Sequence, residues 1–219
     1  MIQDALKIQR TYLINLKRRD GKLKFSTVEL AKAGVDDFQL VEAVDAIEME
    51  LNSPKLSPNG AIGCTLSHRI ALWDAVNRGY ETIMICEDDI ILFPDWENRF
   101  ALFIKNLPSD WQIIWLGWDE RAYQDNSPKF KALILNEGVR KPNDPVGSHC
   151  IVYRGKDVIK RAYEISTRLG HWDCEMSSLS RSVKAYLPIK PIFDQRRNIT
   201  DIWIGHEKNY TNAWYANKK

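Results

Sequence analysis

The sequence predicts an α/β fold, a Rossmann-type sandwich in which helices flank a largely parallel central sheet. Three observations predict it. Short apolar runs rich in strand formers alternate with segments whose apolar residues fall at helical spacing. No internal repeat or low-complexity tract interrupts the alternation. Charged clusters follow three successive strand-like runs, at Lys17 to Arg19, Glu42 to Asp45 and Glu87 to Asp89. In open α/β sheets ligands bind beyond the carboxyl ends of the strands, so these clusters would share one rim.

The elements follow in order. TYLINL (11–16) predicts the first strand, and the basic KRRDGKLK after it a turn at Asp20-Gly21. KLKFSTVELAKAG sets Leu23, Thr27 and Leu30 at helical spacing before a glycine stop. FQLVEAVDA (38–46) predicts the second strand, with acids at its end, and SPKLSPNG (53–60) a loop. Ile62, Leu66, Ile70, Trp73 and Val76 keep the helical period up to Gly79, with Trp73 expected in the core. ETIMICEDD predicts the third strand, Pro94-Asp95 opens a helix over 95–107, and WQIIWLGW (111–118) is a fourth strand. Beyond a polar stretch (119–147), SHCIVYRG predicts a strand, KDVIKRAYEISTRLG a helix and VKAYLPI a strand.

Length and composition narrow the function. The 219 residues fit one domain, with halves over 1–118 and 119–219, and 44% hydrophobic content with eight Trp can build a sizeable core. A net charge of +2 argues against nucleic acid as the main partner. The start lacks the long apolar run of a signal peptide and no stretch is long enough to span a bilayer, so a cytoplasmic location is expected. The basic tail would allow peripheral contact with a membrane surface, although no amphipathic helix supports it. Cys64, Cys86, Cys150 and Cys174 are scattered without CxxC spacing, which reads as reduced thiols rather than a zinc site.

The most unusual stretch is MICEDDIILF (84–93), with three adjacent acids between apolar runs. Side chains alternate along a strand, so Glu87 and Asp89 would share a face opposite Asp88. Two carboxylates on one side suit a hard divalent cation, which would also relieve their repulsion. The plain alternative is a solvated strand end, against which stand the apolar run TIMIC and the shared rim. Lys17, Arg18 and Arg19 could hold a diphosphate, or form a solvated turn. In GAIGCTLSHRIALW (60–73), Gly63 and Ser67 fall near one helical face with Asp74, beside an i, i+4 pair of Cys64 and His68. Small residues at a helix start permit close approach of an anion or sugar. Taken singly, His68 reads as a structural hydrogen-bonder and Cys64 as a small buried residue.

Together, YLINLKRR, VEAVDA, GAIGCTLSHRIALWDAV and ICEDDI resemble, in this order, glycosyltransferase family 25, the group of lipooligosaccharide and collagen galactosyltransferases. The resemblance runs over about 11–118 and continues more weakly through SHCIVYRGKDVIKRA, HWDCEM and NITDI. It implies a GT-A-like fold, a UDP-sugar donor (most often UDP-galactose), Mn2+ or Mg2+, a glycan or glycoconjugate acceptor and inversion at the anomeric carbon. The first half would then bind the nucleotide sugar and the second the acceptor. Glu87 and Asp89 take the outer places of the DXD motif, Asp89 as the first candidate metal ligand and Glu87 meeting the ribose or the metal. Asn15, Leu16, Lys17 and Arg18 would line the nucleotide pocket with Glu42 and Asp45, while Gly63, Ser67 and His68 approach the substrate from the helix. Asp88 caps or braces the loop at the same site. Asp173, matched in HWDCEM, would be the general base, with Glu175 as the fallback. The chain departs from the family pattern at Asp20-Gly21-Lys22, at Ala46 and at Cys174.

Aromatic-rich WLGWDERAY and NYTNAWYANKK could stack on an acceptor sugar or pack in the core. No spacing rule supports His149 or His206 at the site. Two other readings stay open: a binding module without turnover, and a Mg2+-dependent phosphoryl-transfer enzyme, which lacks a DxDxT-like or P-loop motif here.

Overall fold

The computed structural model describes residues 1–45, 59–119, 131 and 133–196. The chain opens with helix α1 (Ile2–Leu6), strand β1 (Arg10–Asn15), a 3-10 turn (Lys17–Arg19), α2 (Asp20–Lys32) and β2 (Gln39–Glu42). Then come α3 (Asn59–Arg78), β3 (Thr82–Glu87), β4 (Ile90–Leu92), α4 (Trp96–Asn106) and β5 (Ile113–Asp119). The remainder is β6 (Val139–Arg140), β7 (Val146–Arg154), α5 (Lys156–Ile165), α6 (Trp172–Ser180), β8 (Ala185–Pro188) and β9 (Phe193–Gln195).

The sheet order is β2-β1-β3-β7-β5-β8-β6, with β9 beside β5 and β4 beside β9. Strands β2, β1 and β3 are mutually parallel, as are β5 and β8. Strand β7 runs backwards between β3 and β5. The α/β sandwich with a mostly parallel sheet is therefore the observed fold, and its one reversed central strand matters to the site. Because Cys86 faces Cys150 in the β3–β7 register, the start of β7 lies beside the end of β3.

Strand alternation sorts the core into two layers. Leu13, Met84, Cys86, Ile114 and Val152 pack against Leu30 of α2 and Phe100 and Phe103 of α4. Their neighbours Tyr12, Ile83, Ile85, Ile113 and Tyr153 pack against Leu72 of α3, Val158 of α5 and Trp172 and Met176 of α6. Trp115 is fully buried, and its Nε1 donates to Ser180 Oγ at 3.0 Å. Burying each large apolar side chain contributes roughly 1.5–3 kcal/mol.

Several expectations need correction. Asp20-Gly21 is the first turn of α2, because the 3-10 turn before it already reverses the chain. Strand β2 stops at Glu42, four residues short of the predicted end at 46. Asn59 and Gly60 open α3, while the rest of the predicted 53–60 loop lies outside the described residues. Trp73 is 55% exposed, since the apolar stripe of α3 is wider than the surface the sheet covers. Strand β3 ends at Glu87, so Asp88 and Asp89 lie in a turn and do not continue its alternation. Helix α1 and strands β4, β6 and β9 were not foreseen, being too short for periodicity to mark them.

Candidate functional site

Parallel pairing brings Ile14 beside Glu87 and Asn15 beside Glu42, so the ends of β1, β2 and β3 form one edge. Glu87 turns toward α3 and β7. Its Oε1 accepts a hydrogen bond from Ser148 Oγ at 2.8 Å and lies 3.2 Å from His68 Nε2. Burial pushes this carboxyl up, but the bonds from His68 and Ser148 outweigh it and hold the group below its ordinary range. His68 is fully buried and stacks on Trp172, with ring centroids 5.1 Å apart.

Asp88 and Asp89 turn instead toward α2. Lys22 Nζ stands 3.4 Å from Asp88 Oδ1 and 3.8 Å from Asp89 Oδ2. One turn on, Ser26 Oγ donates to the Asp88 carbonyl at 2.6 Å. A further turn on, buried Glu29 accepts from the Leu92 amide at 2.8 Å. Lys22, Ser26 and Glu29 thus form a polar stripe at i, i+4 and i+7 that holds the acidic turn. Gln195 Nε2 donates to Asp89 Oδ2 at 3.1 Å, and the Arg196 amide donates to the Asp89 carbonyl at 2.6 Å. Burial and the charge of Glu87 push the Asp89 carboxyl up to about 7, and burial also raises Asp88. The acids therefore divide as Glu87 against Asp88 and Asp89, rather than with Asp88 alone on the opposite side.

Asp173 lies in the first turn of α6. Its Oδ2 accepts from the Gly147 amide at 3.1 Å and its Oδ1 from the Cys174 amide at 2.7 Å. Gly147 has φ +78°, and a Cβ there would stand 3.2 Å from His149 Nδ1 and 3.3 Å from the Asp119 amide. Glycine is what lets the start of β7 aim its N–H at Asp173. Two adjacent residues of β7, Gly147 and Ser148, thereby tether Asp173 and Glu87. Glu175 is engaged elsewhere, accepting from Arg168 Nη1 at 3.0 Å.

The basic cluster sits on the same edge. Lys17 and Arg18 are exposed, and Arg18 Nε pairs with Asp45 Oδ2 at 2.5 Å. Asn15 donates to the Leu16 carbonyl at 2.9 Å, while its buried Oδ1 has no partner among the described residues. Leu16 is half-buried and Glu42 exposed. Ser67 Oγ donates to the Gly63 carbonyl at 2.7 Å and accepts from the Val44 amide at 2.9 Å, which pins the exit of β2 to α3. Asp74 belongs elsewhere, accepting from Tyr12 and Arg78.

Sequence reasoning passed over Lys22, Gly147 and Ser148. The spacing of Lys22, Ser26 and Glu29 was the available signal for the first. No local pattern marks the other two, which reach the site only because β7 is reversed. Cys64, His68 and Glu87 each place a ligand atom within 4.8 Å of the others'. An apolar recess of about 440 Å³, lined by Val44, Leu66, Arg69, Ile70 and Trp73, lies along α3. Of the remaining expectations, His149, Trp115 and Trp118 are buried, and His206 lies outside the described residues. Among the described residues no helix is long and apolar enough to cross a membrane.

The sequence model of glycosyltransferase family 25, described as LPS biosynthesis protein, matches residues 8–143. A procollagen lysyl hydroxylase and glycosyltransferase of Acanthamoeba polyphaga mimivirus is 29% identical over 135 residues, covering 50% of this chain and 15% of that protein. A glycosyltransferase 25 family member of Aedes aegypti is 25% identical over 238 residues, covering 98% of this chain and 35% of that protein. Procollagen galactosyltransferase 2 of Homo sapiens is 25% identical over 134 residues, covering 52% and 21%. The chain spans between 15% and 35% of the length of these relatives.

Proposed function

The chain belongs to glycosyltransferase family 25, and from that premise we propose that it is an inverting hexosyltransferase. It moves a sugar, galactose in first place, from a UDP-sugar to a hydroxyl of a glycan or glycoconjugate. The observation that carries this reading is the acidic turn Glu87-Asp88-Asp89 at the edge where β1, β2 and β3 end. Galactose is favoured because one relative is named a procollagen galactosyltransferase.

The acidic, oxygen-rich set fits a hard divalent cation, and buried Asp89 Oδ1 has no hydrogen-bond partner among the described residues. Asp89 would hold Mn2+ or Mg2+, which when bound would supply Lewis-acid stabilisation of the leaving diphosphate, while Glu87, turned toward His68 and Ser148, would approach only from the other side of the turn. Asn15, Leu16, Lys17 and Arg18 line the nucleotide side, with Glu42 and Asp45 beyond them. Lys17 and Arg18 bring positive charge to the diphosphate. Lys22 keeps Asp88 and Asp89 in place, and Asp88 braces the turn. Gly63, Ser67 and His68 form the α3 wall.

Asp173 takes the proton of the acceptor hydroxyl as its oxygen bonds to C1 of the sugar and the C1–oxygen bond to UDP breaks. Its tethering to the same strand that holds Glu87 supports this role, and the ion pair with Arg168 makes Glu175 the weaker choice. A base of this kind contributes typically about 10²–10⁴-fold. The test is a transfer assay with NMR of the product. Asp173→Asn should lose turnover by roughly that factor while still binding UDP-sugar, and the product should carry the inverted anomer. Near-wild-type turnover in the variant, or a retained anomer, overturns the mechanism. Binding without turnover in wild type favours a binding module.

A further inference from the structure

We propose that Cys64, His68 and Glu87 form a three-ligand site for a thiophilic divalent cation of the zinc type. The site shares Glu87 with the proposed donor rim but does not depend on sugar transfer.

The geometry is close to what such an ion needs. The three ligand atoms lie within 4.8 Å of one another, and His68 Nε2 and Glu87 Oε1 are already at 3.2 Å. An ion with bonds of about 2.0–2.3 Å to N, O and S in tetrahedral array spaces its ligand atoms by roughly 3.3–3.8 Å. Small side-chain movements close the difference. Cys64 and His68 sit one turn apart on α3, so a single rigid element supplies two ligands. That pair has no CxxC signature, which is why counting cysteine spacings passes over it.

The second observation is the imidazole itself. His68 is fully buried, its Nε2 lies at Glu87, and its Nδ1 has no hydrogen-bond partner among the described residues. A buried polar atom left unsatisfied costs about 1–3 kcal/mol. A cation between Nε2 and Glu87 Oε1 would take the place of their hydrogen bond and leave Nδ1 to carry the ring proton. Outer contacts suit the same purpose. Trp172 stacks on the ring and fixes its plane, and Ser148 donates to Glu87.

The surroundings are electronegative. Glu87, Asp173 and Asp89 stand around the Cys64 thiol, and their negative charge favours a cation there. Binding is an exchange in which the thiol releases its proton to solvent as the sulfur–metal bond forms. Thiolate and imidazole donors favour Zn2+ over Mn2+ or Mg2+, and three protein ligands leave a fourth position open.

Cobalt is the probe. Titrating Co2+ into the full chain should raise a thiolate-to-cobalt charge-transfer band and the d–d bands of tetrahedral Co2+, both displaced by Zn2+. Cys64→Ser should abolish the charge-transfer band, and His68→Gln should weaken the d–d bands. Asp89→Asn should leave both. Ser148→Ala, which keeps every ligand, should weaken Zn2+ binding by roughly 10–100-fold. If Cys64→Ser does not fold, judged by far-UV circular dichroism, His68→Gln and Ser148→Ala carry the test. No charge-transfer band in wild type, or a band unchanged in Cys64→Ser or in His68→Gln, overturns the site. Sugar transfer is measured separately, so its failure and the failure of this site are distinguishable.

Discussion

Ser148 donates its hydroxyl to Glu87 Oε1 at 2.8 Å, joining the last residue of β3 to the start of the reversed strand β7. A hydrogen bond to a charged, largely buried acceptor contributes about 1.5–3 kcal/mol. Ser148→Ala should lower stability by about that amount in urea unfolding at neutral pH, with an unchanged m-value. It should also raise the Glu87 carboxyl, since one of the bonds that outweigh burial is lost. An unchanged midpoint would show that this bond does not hold the strand end.

Lys22 should matter more as pH rises. Its ammonium faces Asp88 and Asp89, whose carboxyls burial has raised. Near pH 5 Asp89, raised to about 7, holds a proton, and the cation is less needed. Above the raised range both acids must ionise without it. Lys22→Met should therefore cost about 2–4 kcal/mol near pH 8 and well under half of that near pH 5. Equal losses at both pH values would place the contribution of Lys22 in packing rather than charge.

Asp89 should make the metal-free protein less stable toward neutrality. Its folded carboxyl is raised from an ordinary 3.8 to about 7 by burial and then by Glu87. Between these values the folded state holds a proton that the unfolded chain has released, so stability falls as pH rises through that window. Denaturant titrations in EDTA should show this decline in wild type and a flatter profile in Asp89→Asn. The same slope in both would contradict the assignment.

Two tryptophans test the layer assignment. Trp115 is fully buried and hydrogen-bonded to Ser180, whereas Trp73 is 55% exposed. Trp115→Ala should cost about 3–5 kcal/mol and Trp73→Ala less than about 1 kcal/mol. Comparable losses in unfolding experiments would mean that Trp73 is covered in solution.

Helix α3 and strands β1, β3 and β5 were legible because each runs long enough for its period to show. The rim was legible too, since Glu42, Glu87 and their flanks end parallel strands. The division of the acids was not. It depends on where β3 stops and on Lys22 reaching in from α2, neither of which strand alternation reveals. Ser148 and Gly147 were out of reach for the same reason as the reversal of β7. That reversal is set by pairing across the sheet rather than by local sequence. Trp73 misled because apolar spacing marks a helical face without saying how much of it a neighbour covers.

The most direct measurement is calorimetric titration of UDP-galactose with Mn2+ into wild type, Asp89→Ala and Asp88→Asn. Wild type should show saturable, Mn2+-dependent binding, Asp88→Asn near-wild-type affinity, and Asp89→Ala at least ~10-fold weaker binding, a loss of about 1.4 kcal/mol or more. Binding that survives EDTA undiminished, or an equal loss in both variants, would contradict a metal held by Asp89.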